Sequence, residues 1–328
     1  MSAPLTEAAG LPVDAARPVV TLSPVTLTVP GRPVPLEVKV SAPATGEDLP
    51  VVVFSHGHGA SNFLSSLRGY GPLVDFWAAH GFVVLQPTHL DSTGLGLRDS
   101  GTTGAPLFWR SRVEDVRVVL DHLGDVERAV PGLAGRVDRT KIAVVGHSLG
   151  GHTAGMLCGA TMIDPHDGSV LDLRDERITA GVVLAGPGAG DGLADAAAER
   201  FPDLAGTSFS KMTGQVLVVV GDDDHNPVFT DRADWRADAY HRSPGRNKTL
   251  LTLFGAGHLL GGVSGYDAAE TTDENPGRVA AVRALVWAYL RSAVNPGDPT
   301  WTEASAALAA QTDPQGRVDT GDDVVQPA

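Results

Sequence analysis

Gly146-His147-Ser148-Leu149-Gly150 sets one hydroxyl between two glycines, in the pattern G-x-S-x-G, directly after the apolar run Ile142–Val145. A serine hydroxyl is a poor nucleophile until an imidazole takes its proton and a carboxylate fixes the tautomer of that imidazole. An apolar strand leading into a helix-compatible run, here His152–Ala160, is the setting that lifts such a serine clear of a sheet. The flanking glycines let neighbouring backbones approach where a Cβ would clash. The start of the following helix offers free N–H groups to a developing negative charge. The competing reading is a glycine-rich turn with a passenger serine, and the rest of the chain decides between them.

The partners the serine needs are present at matching places. His258 ends Gly255-Ala256-Gly257-His258, after the run Lys248–Phe254, among glycines that leave it room to reach the serine. Asp222-Asp223-Asp224 follow the run Gln215–Val220 and Gly221. The third residue after that glycine, Asp224, is preferred as the acid, with Asp222 second. Ser55-His56-Gly57-His58-Gly59 follows the run Leu49–Phe54, and its two glycines allow the His58 N–H to turn towards the serine. His58 N–H and Leu149 N–H are therefore the expected oxyanion donors. Reading His56 and His58 as a metal pair fails for want of a third ligand at useful spacing, so His56 is expected to brace its loop. Asp164, His166, Asp167 and Asp172 fall in a polar insertion expected to be a solvated loop. His80, His122 and His241 lie on or beside helical stretches and are read as surface or packing residues. The chemistry needs no metal or organic cofactor.

The elements that position these groups alternate. Val19–Val29 and Pro35–Ser41 read as an antiparallel pair around Pro30-Gly31-Arg32-Pro33. Leu49–Phe54, Phe82–Leu85, Ile142–Val145, Ile178–Leu184, Gln215–Val220 and Lys248–Phe254 are short apolar runs, as expected of strands covered on both faces. Between them lie helical patterns at 64–80, 109–123, 230–241 and 276–293. On the second of these, Arg110, Arg112, Glu114, Asp115 and Arg117 are read as a solvated or ion-paired face. The expected fold is α/β, with a mainly parallel sheet and helices on both faces, and active groups at the carboxyl ends of its strands. Residues 1–17 are expected to be a loose arm and 18–294 the domain. Within that domain, 187–213 is expected to be a lid or acyl-pocket insertion. The acidic stretch 295–328 is expected to be a loosely packed or disordered extension.

Bulk composition fits a globular chain. Of 328 residues, 42% are apolar and 20% charged, enough for a sizeable core. A net charge of −14 argues against nucleic acid or an anionic membrane surface as the main partner. The one cysteine, Cys158, excludes an intrachain disulfide and is read as a core residue. The N-terminus has neither the basic start nor the apolar run of a signal peptide, and no run is long enough to span a bilayer, so a cytoplasmic location is expected.

Ser148, then Asp224, then His258 is the Ser…Asp…His order of the α/β-hydrolase fold. VVVFSHGHGAS, WAAHGFVVLQPTH and VVGHSLGGH resemble plasma-type platelet-activating-factor acetylhydrolases and dienelactone-hydrolase-like esterases. The likeness covers the organisation of roughly 35–290 and is specific around the two loops and the three triad positions. It implies that the H-G-x-G loop gives the first oxyanion N–H, here from His58, and that the residue after the nucleophile, Leu149, gives the second. It further implies two-step acyl transfer with Ser148 attacking an ester carbonyl. The layout also looks like cutinases and polyester hydrolases, although the C-terminal disulfide often found there is missing. A short-acyl or lipid-type ester is the expected substrate, with a polymer ester as the alternative. An acyltransferase, or a non-catalytic binding protein on the same scaffold, stays open.

Overall fold

Apolar runs without polar alternation have to be covered on both faces, and the computed structural model of the chain does this with helices on either side of one sheet. It describes residues 8–164, 167–265 and 268–321. In chain order the strands are β1 (Val19–Leu27), β2 (Leu36–Pro43), β3 (Leu49–Ser55), β4 (Val83–Pro87), β5 (Val137–His147), β6 (Thr161–Ile163) and β7 (Val170–Asp172). They continue with β8 (Ile178–Leu184), β9 (Thr207–Ser208), β10 (Val216–Gly221), β11 (Lys248–Leu253) and β12 (Gly316–Thr320). The main sheet has nine strands in the order β1-β2-β4-β3-β5-β8-β10-β11-β12. From β4 to β11 neighbouring strands run parallel, while β1, β2 and β12 pair antiparallel at the edges. Among the described residues, no helix is long and apolar enough to cross a membrane.

Alternate residues of each central strand feed two separate cores. Val52 and Phe54 of β3, Val145 of β5 and Val219 of β10 face one side. There they meet helices α1 (Gly71–Ala79) and α8 (Pro276–Val294). Trp77 Nε1 donates to Arg283 O and Trp287 Nε1 to His80 O, each at 2.9 Å, which locks these two helices together. Val51, Val53, Val144 and Val218 face the other side, against helices α2 (Trp109–Asp121), α3 (Leu123–Ala129) and α4 (Leu149–Leu157). The remaining helices are short: α5 (Asp195–Arg200), α6 (Pro202–Ala205), α7 (Asp238–His241) and, near the C-terminus, α9 (Thr300–Ala309).

Several stretches differ from expectation, each for a local reason. The helix expected over 64–80 begins only at Gly71. A Cβ at Gly69 would overlap the Phe63 carbonyl oxygen, and Tyr70 is left-handed at φ 65°. Over 230–241 only α7 and a preceding 3-10 turn form. The insertion after α4 is not wholly a loop: β6, β7 and β9 make a small antiparallel sheet beside the domain. His166 lies outside the described residues. Within 295–321 the chain is packed rather than loose, since Ala304 and Leu308 of α9 join the core and β12 hydrogen-bonds along β11. Residues 8–17 are likewise docked, with Ala8 and Leu11 buried and the Arg17 N–H bonded to Ala79 O.

Candidate active site

The tight turn at the end of β5 follows from its glycines. A Cβ at Gly146 would overlap the Gly150 carbonyl, and one at Gly150 would overlap the Ser55 carbonyl, so β5, α4 and the loop after β3 close on each other only with glycine there. Ser148, at φ 56° and ψ −121°, takes a backbone conformation that costs a non-glycine residue on the order of 1–3 kcal/mol. Its N–H bonds Leu184 O at 2.8 Å, which holds the turn against the end of β8. Ser148 Oγ is thereby held at the N-terminus of α4.

β11 ends in the loop that carries His258, and β10 ends in the loop that carries Asp224. His258 Nε2 lies 2.9 Å from Ser148 Oγ, and His258 Nδ1 lies 2.9 Å from Asp224 Oδ2. A carboxylate only accepts, so Nδ1 carries the hydrogen and Nε2 is free to take one from the serine. Asp222 stands apart: its Oδ1 accepts the Gly255 N–H at 2.6 Å and braces the β11 loop. Asp273 fixes the same loop from the far side, accepting from Gly257 N and Gly261 N at 2.9 Å each.

Arg236 is a member of the site that the sequence reading missed. Its Nε lies 2.6 Å from Asp224 Oδ2, and the side chain is almost wholly buried. Burial pushes the Asp224 carboxyl up, but the hydrogen bond and charge of His258 and the Arg236 guanidinium outweigh it and hold Asp224 below its ordinary range. Burial, then the Arg236 charge, hold His258 below the ordinary imidazole value despite Asp224 and Asp273.

The loop after β3, which carries His58, is braced by a buried polar network. The helix face expected to be solvated or ion-paired makes its ion pairs inside: Arg112 and Asp115, at 0% and 2% exposure, pair with Asp91 and Arg32. Arg112 donates to Asp91 Oδ1 at 2.9 Å, to Asp91 Oδ2 at 2.8 Å, to His56 O at 2.8 Å and to Gly57 O at 3.1 Å. His56 braces the loop as expected: its Nε2 accepts the His89 N–H at 3.0 Å, which leaves Nδ1–H to donate to Gly57 O at 2.7 Å. Behind it, His89 joins Ser55 to Asp115, whose carboxyl burial pushes up to about 6 even beside Arg32. His58 uses more than its backbone, because its Nδ1 lies 2.8 Å from Asp91 Oδ2. The N–H groups of His58 and Leu149 make no hydrogen bond among the described residues.

Ser148, Asp224, His258, His58 and Leu149 line one cavity of about 500 Å³. Leu107, Pro187, Phe201, Leu204, Phe229 and Trp235 give the rest of its wall an apolar part, and Asp223, His225, Asn226, Arg236, Thr272 and Asp273 a polar one. Phe201 and Leu204 come from the segment expected to be lid or pocket material. Cys158 is buried in the core behind α4, and burial pushes its thiol up to about 12. His80, His122 and His241 lie outside the cavity.

This geometry can be set beside known proteins. Residues 52–325 match the sequence profile of the Alpha/beta hydrolase family. The chain belongs to that family. It is also similar to the platelet-activating factor acetylhydrolase of Cavia porcellus, with 28% identity over 146 residues. That match takes in 33% of this chain and 31% of the relative, so it spans about a third of either protein.

Proposed function

We propose that this α/β-hydrolase is a serine carboxylic ester hydrolase acting on short-acyl or lipid-type esters through an acyl-enzyme. The observation that carries the proposal is the unbroken chain Ser148 Oγ, His258 and Asp224, joined at 2.9 Å and 2.9 Å on the wall of a cavity with one apolar side. His258 Nε2 removes the Ser148 proton as Oγ bonds to the ester carbonyl carbon. The carbonyl oxygen becomes an anion held by the N–H groups of His58 and Leu149. The tetrahedral species collapses, and His258 gives its proton to the departing alkoxide. A water molecule, deprotonated in turn by His258, then attacks the acyl carbon, and His258 returns that proton to Ser148 Oγ as the Oγ–acyl bond breaks and the acid leaves. Asp224 keeps the imidazole oriented and stabilises its charged form, and Arg236 fixes Asp224.

The acetylhydrolase likeness supports an ester of a short acyl group, and the cavity's apolar walls suit the hydrocarbon part of such a substrate. The test is hydrolysis of p-nitrophenyl esters from acetyl to long acyl, with Ser148→Ala alongside. Turnover that peaks at short chains and disappears in the variant is expected. Activity that rises with chain length moves lipid or polymer esters ahead. Products that change with added alcohol make the protein an acyltransferase. An inert wild type that also resists an organophosphonate overturns the proposal in favour of a binding protein.

A further inference from the structure

We infer that the His58 side chain is a specificity-determining substrate contact, its Nε2 accepting a hydrogen bond from a hydroxyl or N–H that lies a few atoms from the scissile carbonyl. The site would then take short esters that carry such a donor. This rests on the ester-hydrolase reading and narrows its substrate class.

The argument starts from Asp91. Its side chain is fully buried, and Arg112 grips both of its oxygens. Burial pushes the Asp91 carboxyl up, yet Arg112, His58 and His56 together hold it well below the usual range, so it stays ionised. An ionised carboxylate only accepts, so the 2.8 Å contact requires the hydrogen on His58 Nδ1. In the neutral ring, the lone pair is then left on Nε2. Nε2 makes no hydrogen bond among the described residues, and the ring lines the same cavity as Ser148 and His258. The site thus has two imidazoles, each oriented by a buried aspartate. One addresses the serine, and the other presents an acceptor to the cavity.

A backbone oxyanion donor does not require this side chain, because any residue at position 58 supplies an N–H. What Asp91 and Arg112 add is a fixed acceptor on the wall of a cavity that Leu107, Leu149 and Phe201 also line. A hydrocarbon placed against such an acceptor leaves it dry and unpaired, whereas a donor in the ligand satisfies it. The acceptor and the oxyanion donor belong to one residue, which sets the donor close to the carbonyl on either the acyl or the alcohol side.

The experiment compares kcat/KM within matched pairs by pH-stat titration of the released acid. Ethyl 3-hydroxybutyrate against ethyl butyrate tests the acyl side, and 2-hydroxyethyl butyrate against propyl butyrate tests the alcohol side. Wild type is expected to favour the hydroxylated member of at least one pair by about tenfold. His58→Leu is expected to bring that ratio to about one, and His58→Gln, which keeps an acceptor, to restore part of it. A ratio taken within one preparation does not depend on how much of it is folded, so a purely structural role for His58 leaves it unchanged. A wild-type ratio near one in both pairs, or a ratio that survives His58→Leu, overturns the inference. Wild type inert to all four esters yet labelled on Ser148 by an organophosphonate overturns this inference alone. Inertness without labelling removes the ester-hydrolase reading as well.

Discussion

The His147 imidazole lies 2.8 Å from the backbone carbonyl of His258, so the residue before the serine holds the main chain of the histidine that serves it. A carbonyl only accepts, which places the hydrogen on His147 Nε2. Nδ1 then faces Tyr70 Oη at 3.1 Å, and Tyr70 in turn accepts the Gly57 N–H of the oxyanion loop at 2.9 Å. Burial and the neighbouring His258 push His147 down to about 3, so it stays neutral throughout the working range. Replacing His147 by Phe is expected to lower kcat about 10- to 100-fold with little change in KM, because it loosens alignment rather than binding. Steady-state kinetics on one short ester checks this.

The pH profile follows from the charge state of His258. The proposed role of general base needs it neutral, and burial together with Arg236 holds it below the ordinary imidazole value. The acid limb of kcat/KM is therefore expected below pH ~6.5. Arg236→Gln removes a positive charge that disfavours imidazolium, so the limb is expected to move to higher pH. A limb that stays in place would show that Arg236 acts only by holding Asp224.

The consecutive aspartates separate cleanly by kinetics. Asp224→Asn loses the acceptor that fixes the His258 tautomer, and kcat is expected to fall about 10⁴-fold. Asp222→Asn leaves the triad intact and disturbs one loop bond to Gly255. Its kcat is expected to stay within about threefold of wild type, with a stability loss of about 1 kcal/mol. Thermal melts and kinetics on the two variants decide the assignment.

Arg112→Met tests the network beneath the oxyanion loop. It leaves the buried Asp91 carboxylate without its Arg112 partner, removes the Arg112 donor from His56 O and leaves Gly57 O with the His56 Nδ1–H alone. Breaking a buried pair from one side costs about 3–5 kcal/mol, read as a lowered denaturation midpoint in urea. Arg110, on the exposed side of the same helix, is the control, and Arg110→Met is expected to change stability by less than about 0.5 kcal/mol.

What the chain discloses before folding is what acts locally. Ser148, Asp224 and His258 each follow an apolar run and a glycine, and the structure brings all three together. The groups behind them were hidden because their partners are apart in sequence: Asp91 with Arg112, and Asp224 with Arg236. A usable signal existed for Arg112. It shares a helical face with Val113, Val116, Val119 and Leu120, so its phase points inward although its charge suggests water. Composition misled in the other direction at the C-terminus. The acidic, Pro- and Gly-containing stretch conceals Gly316–Thr320, whose pairing depends on β11 and not on its own residues.

That last pairing ties solubility to the chemistry. β12 occupies the outer hydrogen-bonding groups of β11, and β11 leads straight into the His258 loop. A chain ending before 300 would present Lys248–Leu253 as a bare sheet border, a template on which a second molecule's strand can add. Intermolecular pairing there would pull on the loop that delivers the imidazole. Inactivation and self-association of a shortened protein would then be a single event.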